Sequence, residues 1–368
     1  MSGGEPVKVA VVGCGTISKA YLTNLTAFPD VQVVGCADID TVRAKEVAAE
    51  HGISVSGDVD TVLADPDVEM IINLTIPAAH VSVATAALRA GKHVYGEKPF
   101  SLEREDGHSL LAEAEQLDRR IGNAPDTFLG AGLQTSQRLI AQGVIGEPQS
   151  ALVAMQSPGP ESWHPSPEFL FQYGGGPLMD IGPYYLTMLV QMFGPVSKVA
   201  AAARKAKSER VIGKGPKAGT SFAVEVPTHS TSLVEFAAGP VATMVISFDS
   251  PVSRHGFVEI TGTEATLRVP DPNTFGGPVR IRKVGDDDWQ ELPLGGTTAG
   301  RGIGALEMAQ AIRAGRPHRA SGELAMHVVD TMSAISDSAR LDEFVPVTVS
   351  CQSPDPLPEG WDPYQSVL

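Results

Sequence analysis

Two stretches of this chain carry residue types suited to handling phosphates and protons. In "VKVAVVGCGTISKAYL" an apolar run gives way to Gly13, Gly15 and Ser18, the spacing G-x-G-x-x-S. Glycine at the first position permits a tight strand-to-helix turn, and glycine at the second lets backbone approach a pyrophosphate. The amides of Thr16 and Ile17 then open a helix, where unpaired N–H groups and the helix dipole attract anions. Asp38 closes the next apolar run, about 20 residues on, where a carboxylate accepts from adenosine ribose hydroxyls and repels a 2′-phosphate. Arg43 follows and softens that preference, so the expected cofactor is NAD, with NADP as the second choice.

The other stretch is "VYGEKPF" (94–100), where Glu97, Lys98 and Pro99 stand together as an apolar run stops. Open α/β sheets bind ligands at the carboxyl ends of their strands, and an ammonium there can stabilise an anion or pass a proton. Pro99 fixes the backbone after it, and Glu97 bonds nearby backbone or the cofactor. Further along, "PESWHPSPEFLFQYGGGPLMD" sets Trp163 and His164 before a glycine-rich turn. An indole face with an imidazole suits a sugar, whose apolar ring faces meet aromatics and whose edges meet polar groups. The alternative is a structural loop whose Trp fills a crevice. Asp126 either bonds a second sugar ring or caps the helix after it, with the cap favoured. His255 belongs with the substrate-facing candidates, and no His, Cys or carboxylate spacing suggests a metal.

The elements that must position these residues fall into two rhythms. Up to about residue 125, near-continuous apolar runs ("VKVAVVG", "VQVVGCAD", "VEMIINLT", "KHVYGE") alternate with helical patterns, two of which end at Gly52 and Gly91. Ser101 is placed to cap the next helix, whose first turn carries Glu103, Glu105 and Asp106. This predicts an α/β domain over 1–125, a Rossmann-type doubly wound parallel sheet. From 126 to 368 successive strand patterns ("PQSALVAMQS", "THSTSLVEFAAG", "PVATMVISFDS", "GFVEITGT", "EATLRVP", "GPVRIRKV") predict an α+β domain with an open, mainly antiparallel sheet. Its closing helices have the option of packing back on the first domain.

Composition narrows the function classes. The 368 residues hold 28 Lys and Arg against 43 Asp and Glu, a net charge of -15, which argues against a polyanionic partner such as nucleic acid. The one short basic cluster, "ARKAKSER" at 203–210, reads as a solvated loop. No apolar run approaches the roughly 18 residues of a membrane span. Three cysteines without CxxC spacing fit a reducing cytoplasm.

Taken in order, the glycine fingerprint, "LTIPAAH" (74–80), "AGKHVYGEKP" (90–99), "GVIGEP" (143–148) and "GGGPLMDIGPYY" (174–185) resemble the glucose–fructose oxidoreductase / inositol dehydrogenase (Gfo/Idh/MocA) family. The resemblance spans about residues 7 to 345. It implies an NAD(P)-dependent oxidoreductase acting on a sugar, cyclitol or glycoside hydroxyl, and a homo-oligomer, dimer or tetramer, formed through the second sheet. It places Lys98 beside the nicotinamide with a cis bond to Pro99, and assigns Asp180 and Tyr184 to the D-x-G-x-H/Y segment. Thr75, Pro77 and His80 match the loop on the nicotinamide side. Tyr184 stands where many relatives have His.

A free tyrosine has a pKa near 10, so forming phenolate at pH 7 takes roughly 4 kcal/mol of preferential stabilisation. A neighbouring ammonium in a dry site contributes in that direction, and its own pKa falls in return. Lys98 and Tyr184 therefore share the acid/base role, and Asp180 orients the substrate hydroxyl or Lys98. Oxidation of a glycoside is the specific expectation. Aldose or trans-dihydrodiol oxidation is the alternative within enzymes, and a non-catalytic dinucleotide-sensing regulator is the alternative outside them.

Overall fold

Val7–Val12 (β1) is apolar at five of its six positions and buried at five, as a central parallel strand covered on both faces must be. In the computed structural model, which describes residues 4–368, it lies inside a six-stranded parallel sheet. The other strands are Val31–Ala37 (β2), Val55–Gly57 (β3), Met70–Asn73 (β4), His93–Gly96 (β5) and Ile121–Asn123 (β6). Their order, β3-β2-β1-β4-β5-β6, reverses direction of travel between β1 and β4. That switch point opens a crevice at the strands' carboxyl ends.

Connecting helices are Thr16–Leu25 (α1), Thr41–His51 (α2), Val59–Leu63 (α3), His80–Arg89 (α4) and Arg104–Gln116 (α5). Gly52 ends α2 in the left-handed region, and Gly91 follows α4 with φ +76°. Ser101 departs from its expected role. The α5 helix starts later, at Arg104, and the Ser101 hydroxyl donates to the Glu103 carbonyl at 2.7 Å instead of capping it. Glu105 and Asp106 do occupy the first turn.

Chain packing divides the described residues into two units, the first comprising 4–130, 296–329 and 357–368 and the second 131–295 and 330–356. The second unit holds Ala131–Ala141 (α6), Pro148–Gln156 (β7), Gly176–Phe193 (α7), Val196–Arg204 (β8), Glu209–Val211 (β9) and Ser221–Ala223 (β10). His229–Phe236 (β11), Val241–Ser247 (β12), Arg254–Gly262 (β13), Ala265–Val269 (β14), Val279–Lys283 (β15), Gln290–Leu292 (β16) and Val345–Pro346 (β17) follow. Nine of these strands form one sheet, β16-β15-β14-β13-β7-β12-β11-β8-β17, antiparallel throughout except at the β12–β7 pair. Alternate residues of β11 and β14 are buried, so one sheet face is covered while Leu152 and Leu233 remain exposed. The basic stretch at 203–210 is exposed over 204–209 and runs outside any strand over 205–208, as its composition suggests; Arg210 departs from it, buried in β9.

Ile303–Arg313 (α8) returns to the first unit. There Asp30, 1% exposed, accepts from Gln310 Nε2 at 2.9 Å, from the Ser366 hydroxyl and from the Val367 amide. Among the described residues no helix is long and apolar enough to cross a membrane.

Candidate active site

The nucleotide cradle is built at the switch point. Gly13 follows β1 with φ +100°, and a Cβ there would stand 2.6 Å from the Leu74 carbonyl oxygen, so only glycine fits between the two strand ends. Gly15 is the N-cap of α1 in ordinary extended geometry, and a Cβ there would meet nothing within 4 Å. The Gly15 cap makes no side-chain hydrogen bond and the first turn carries no acid, which leaves the leading amides at Thr16 and Ile17 suited to an anion. Open space before bare helix amides fits a dinucleotide pyrophosphate.

Asp38 is tied to this loop. Its Oδ2 accepts the Cys14 amide at 2.8 Å and its Oδ1 the Asp40 amide at 2.9 Å. Arg43, half exposed, lies 3.8 Å from Asp38 Oδ1 and 3.4 Å from an Asp40 oxygen. The carboxylate is thus held at the strand end with lone pairs left for ribose hydroxyls.

Beside it, the β4–α4 turn is drawn together by a residue sequence reading missed. Asn73 accepts from the Thr75 hydroxyl at 2.7 Å and donates to the His80 carbonyl at 3.0 Å. Pro77 starts the short helical turn in between. His80 is 3% exposed, with one ring nitrogen 2.7 Å from the Pro99 carbonyl and the other 2.9 Å from the Thr75 carbonyl. It therefore joins this turn to the Lys98–Pro99 segment.

Glu97 makes backbone and side-chain bonds of its own protein. It accepts the Tyr21 hydroxyl at 2.7 Å through one oxygen and the Lys98 amide at 3.0 Å through the other. The Lys98–Pro99 bond is cis, as expected, and Lys98 is half-buried. Asp126 corrects an expectation. Its side chain makes no cap for the turn that follows it; it is fully buried and accepts from the amides of Gly302 and Gly304 at the start of α8, at 2.8 and 3.2 Å. Burial raises its pKa, opposed by Arg301 and those amides. Fully buried and bonded to α8 through Oδ2, its carboxylate is closed off from a sugar.

In the second unit a cavity of about 310 Å³ is lined by Trp163, Asp180, His255 and several residues the sequence did not single out, Ser157, Tyr185, Asp271 and Asn273 among them. Three expected residues thus meet on one wall. His164 sits just outside, its ring edge-on between Trp163 and Phe169 at 5.5 and 5.6 Å. Tyr184 is buried, and the tyrosine on this wall is Tyr185, one turn beyond Ile181 on α7. The Tyr185 hydroxyl accepts the Gly256 amide at 3.1 Å and lies 3.4 Å from Asp271 Oδ1, and burial with the Asp271 charge pushes its pKa up. A phenol held protonated serves as a donor, not as a base. Trp163, 62% exposed, offers its indole at the rim.

Residues 7–124 match the NAD-binding Rossmann domain of the GFO/IDH/MocA oxidoreductase family, and residues 133–268 match that family's C-terminal domain. The chain belongs to the Gfo/Idh/MocA family. It is therefore an NAD(P)-dependent oxidoreductase with an NAD-binding Rossmann domain. Among relatives of this family, bovine (Bos taurus) trans-1,2-dihydrobenzene-1,2-diol dehydrogenase is 26% identical over 71% of this chain and 73% of its own. A 1,5-anhydro-D-fructose reductase from Ensifer adhaerens is 26% identical over 70% and 74%. Levoglucosan dehydrogenase, solved with NADH and levoglucosan, superposes with a TM-score of 0.80 at 21% identity, covering 94% of this chain and 100% of its own. At that identity the likeness is one of fold.

Proposed function

We propose that this Gfo/Idh/MocA member is an NAD-dependent dehydrogenase that oxidises a ring hydroxyl of a sugar, cyclitol or glycoside. The observation that carries the reading is the cavity wall on which Asp180, Trp163 and His255 converge. Indole at the rim and hydroxyl, amide and carboxylate groups within are the mixture that a polyol ring requires. Bound NAD supplies the hydride acceptor. Thr16, Ile17 and Asp38 hold it, with Arg43 admitting NADP as the weaker choice. Lys98 and Tyr184 share removal of the hydroxyl proton, and Asp180 orients the hydroxyl or Lys98. Tyr185, kept protonated beside Asp271, donates to the substrate edge. A ring added to the substrate lies against Trp163, which favours glycosides. The subunit works as a homo-oligomer through the open face of its nine-stranded sheet, where Leu152 and Leu233 stand exposed. Its three free thiols suit the cytoplasm.

Aldose or trans-dihydrodiol oxidation is the second reading, favoured by the relatives named for such diols. The deciding experiment follows absorbance at 340 nm with NAD and then NADP against sugars, cyclitols, glycosides and a trans-dihydrodiol, using wild type and Lys98→Met. Turnover on a polyol that disappears in the variant, while NADH still binds, supports the reading. Turnover confined to the dihydrodiol replaces it with the second.

A further inference from the structure

We infer that the cavity of the second unit selects neutral polyols and rejects sugars bearing a carboxylate or phosphate. This rests on the reading of that cavity as the substrate pocket.

The residues lining the cavity include no Lys or Arg, and two of them, Asp180 and Asp271, are acids; Asp180 is assigned above to the reacting hydroxyl or Lys98, so the charge that selects is that of Asp271. Asp271 has neutral donors as partners, the Tyr185 hydroxyl at 3.4 Å and the Asn273 amide at 3.0 Å. The remaining polar groups on the wall include Ser157, Ser162, Ser253 and the Trp163 indole, neutral groups that pair with sugar hydroxyls and bring no positive charge to offset an anion.

One guanidinium does lie behind this wall, and it is turned away from any ligand. Arg210 has a side chain 3% exposed and pairs with both Glu161 and Asp249. It also donates to the Pro158 carbonyl at 2.9 Å and the Phe248 carbonyl at 3.0 Å, and stacks 5.0 Å over the Phe171 ring. Pro158 and Phe248 line the cavity, so Arg210 pins the wall in place. Two carboxylates against one guanidinium leave this buried set net negative, and the second oxygen of Glu161 is buried without a hydrogen-bond partner. An anionic substrate would leave water for a wall of like charge, where screening is weak. A neutral ring carries no charge for that wall to repel and can donate its hydroxyls to the carboxylates.

The test compares congeners of one shape. Glucose and methyl glucoside are set against glucuronate, methyl glucuronide and glucose 6-phosphate at pH 8. Binding to the protein–NADH complex and kcat/KM with NAD are both measured, for wild type and for the isosteric Asp271→Asn. The expected result is that neutral sugars bind and turn over ~100-fold or more better than their anionic partners, chiefly through KM. In Asp271→Asn that gap narrows by roughly tenfold. Anionic congeners accepted as well as neutral ones, or a gap that Asp271→Asn leaves unchanged, would overturn the inference while the dehydrogenase reading stands. If no sugar of either kind binds or reacts, the carbohydrate reading of the cavity fails and this inference fails with it.

Discussion

Tyr21 donates its hydroxyl to Glu97 at 2.7 Å across 76 residues of sequence, and Glu97 in turn holds the amide of Lys98. A helix that packs beneath the nucleotide cradle is thereby bonded to the residue just before the proposed proton carrier. Tyr21→Phe removes one hydroxyl and strands a buried carboxylate oxygen. A stability loss of about 1–3 kcal/mol is expected by chemical denaturation. Because the ammonium loses its fixed base, kcat should fall by roughly tenfold while the Kd for NADH stays near wild type. Unchanged kcat in a folded variant would mean that Lys98 is positioned without Tyr21.

The two fingerprint glycines should fail in different ways. Gly13→Ala sets a methyl 2.6 Å from the Leu74 carbonyl oxygen at φ +100°, so the protein should lose at least about 2 kcal/mol of stability with or without cofactor. Gly15→Ala has open space and ordinary φ, so its apo protein should melt within a degree or two of wild type. Its affinity for NADH should nevertheless drop by roughly tenfold or more, because the methyl stands where phosphate oxygens approach. Differential scanning fluorimetry with and without NADH separates the two outcomes.

Arg210 should be required for folding and unsuited to conservative exchange. Arg210→Met leaves Glu161 and Asp249 buried together without a counter-charge, which costs about 3–5 kcal/mol. Arg210→Lys keeps the charge but cannot serve two carboxylates and two carbonyls from one ammonium, so it should be intermediate. Urea titration of the three proteins gives the order; a lysine variant as stable as wild type would show that charge alone suffices.

Acid should weaken the nucleotide unit through His93. Its ring nitrogen accepts the Arg120 amide at 2.9 Å, which requires an unprotonated nitrogen. Burial, with Arg119 and Arg120 nearby, lowers its pKa from 6.5 to about 4. The unfolded chain takes up this proton first as pH falls, so the stabilisation is complete above pH 6.5 and is lost progressively toward pH 4. His93→Gln keeps an acceptor and lacks the titration. Its stability should therefore change less than that of wild type between those two values, as read from denaturant midpoints.

What could be read in the residues was local. Gly13, Gly15 and Asp38 announce a cradle because a turn, a close approach and a strand end each impose a residue type within a short span. The Asp180 helix and the Lys98 strand end were reached through ordered motifs. Contacts set by distant partners were not visible. Asp126 looked like a cap for its own neighbours and instead serves α8, 176 residues away. Arg210 lay in a basic run that composition assigns to solvent, and only the placement of Glu161 and Asp249 makes it an interior residue. The β8 strand, "VSKVAAAAR", holds four consecutive alanines, a composition that favours helix; pairing with β11 and β17 overrides it. Nothing in the sequence singles out Tyr185, which the turn of α7 puts with Asp180 and Ile181 on the cavity wall.

The three bonds that converge on Asp30 carry a consequence for synthesis. One comes from Gln310 and two from Ser366 and Val367, so this carboxylate keeps its water until more than 330 further residues have left the ribosome and can cover it. The nucleotide unit, although it begins the chain, is expected to stay open to proteases and chaperones throughout translation and to close only after residue 367 emerges. Nascent chains stalled before and after that point should differ sharply in protease resistance of the first 130 residues.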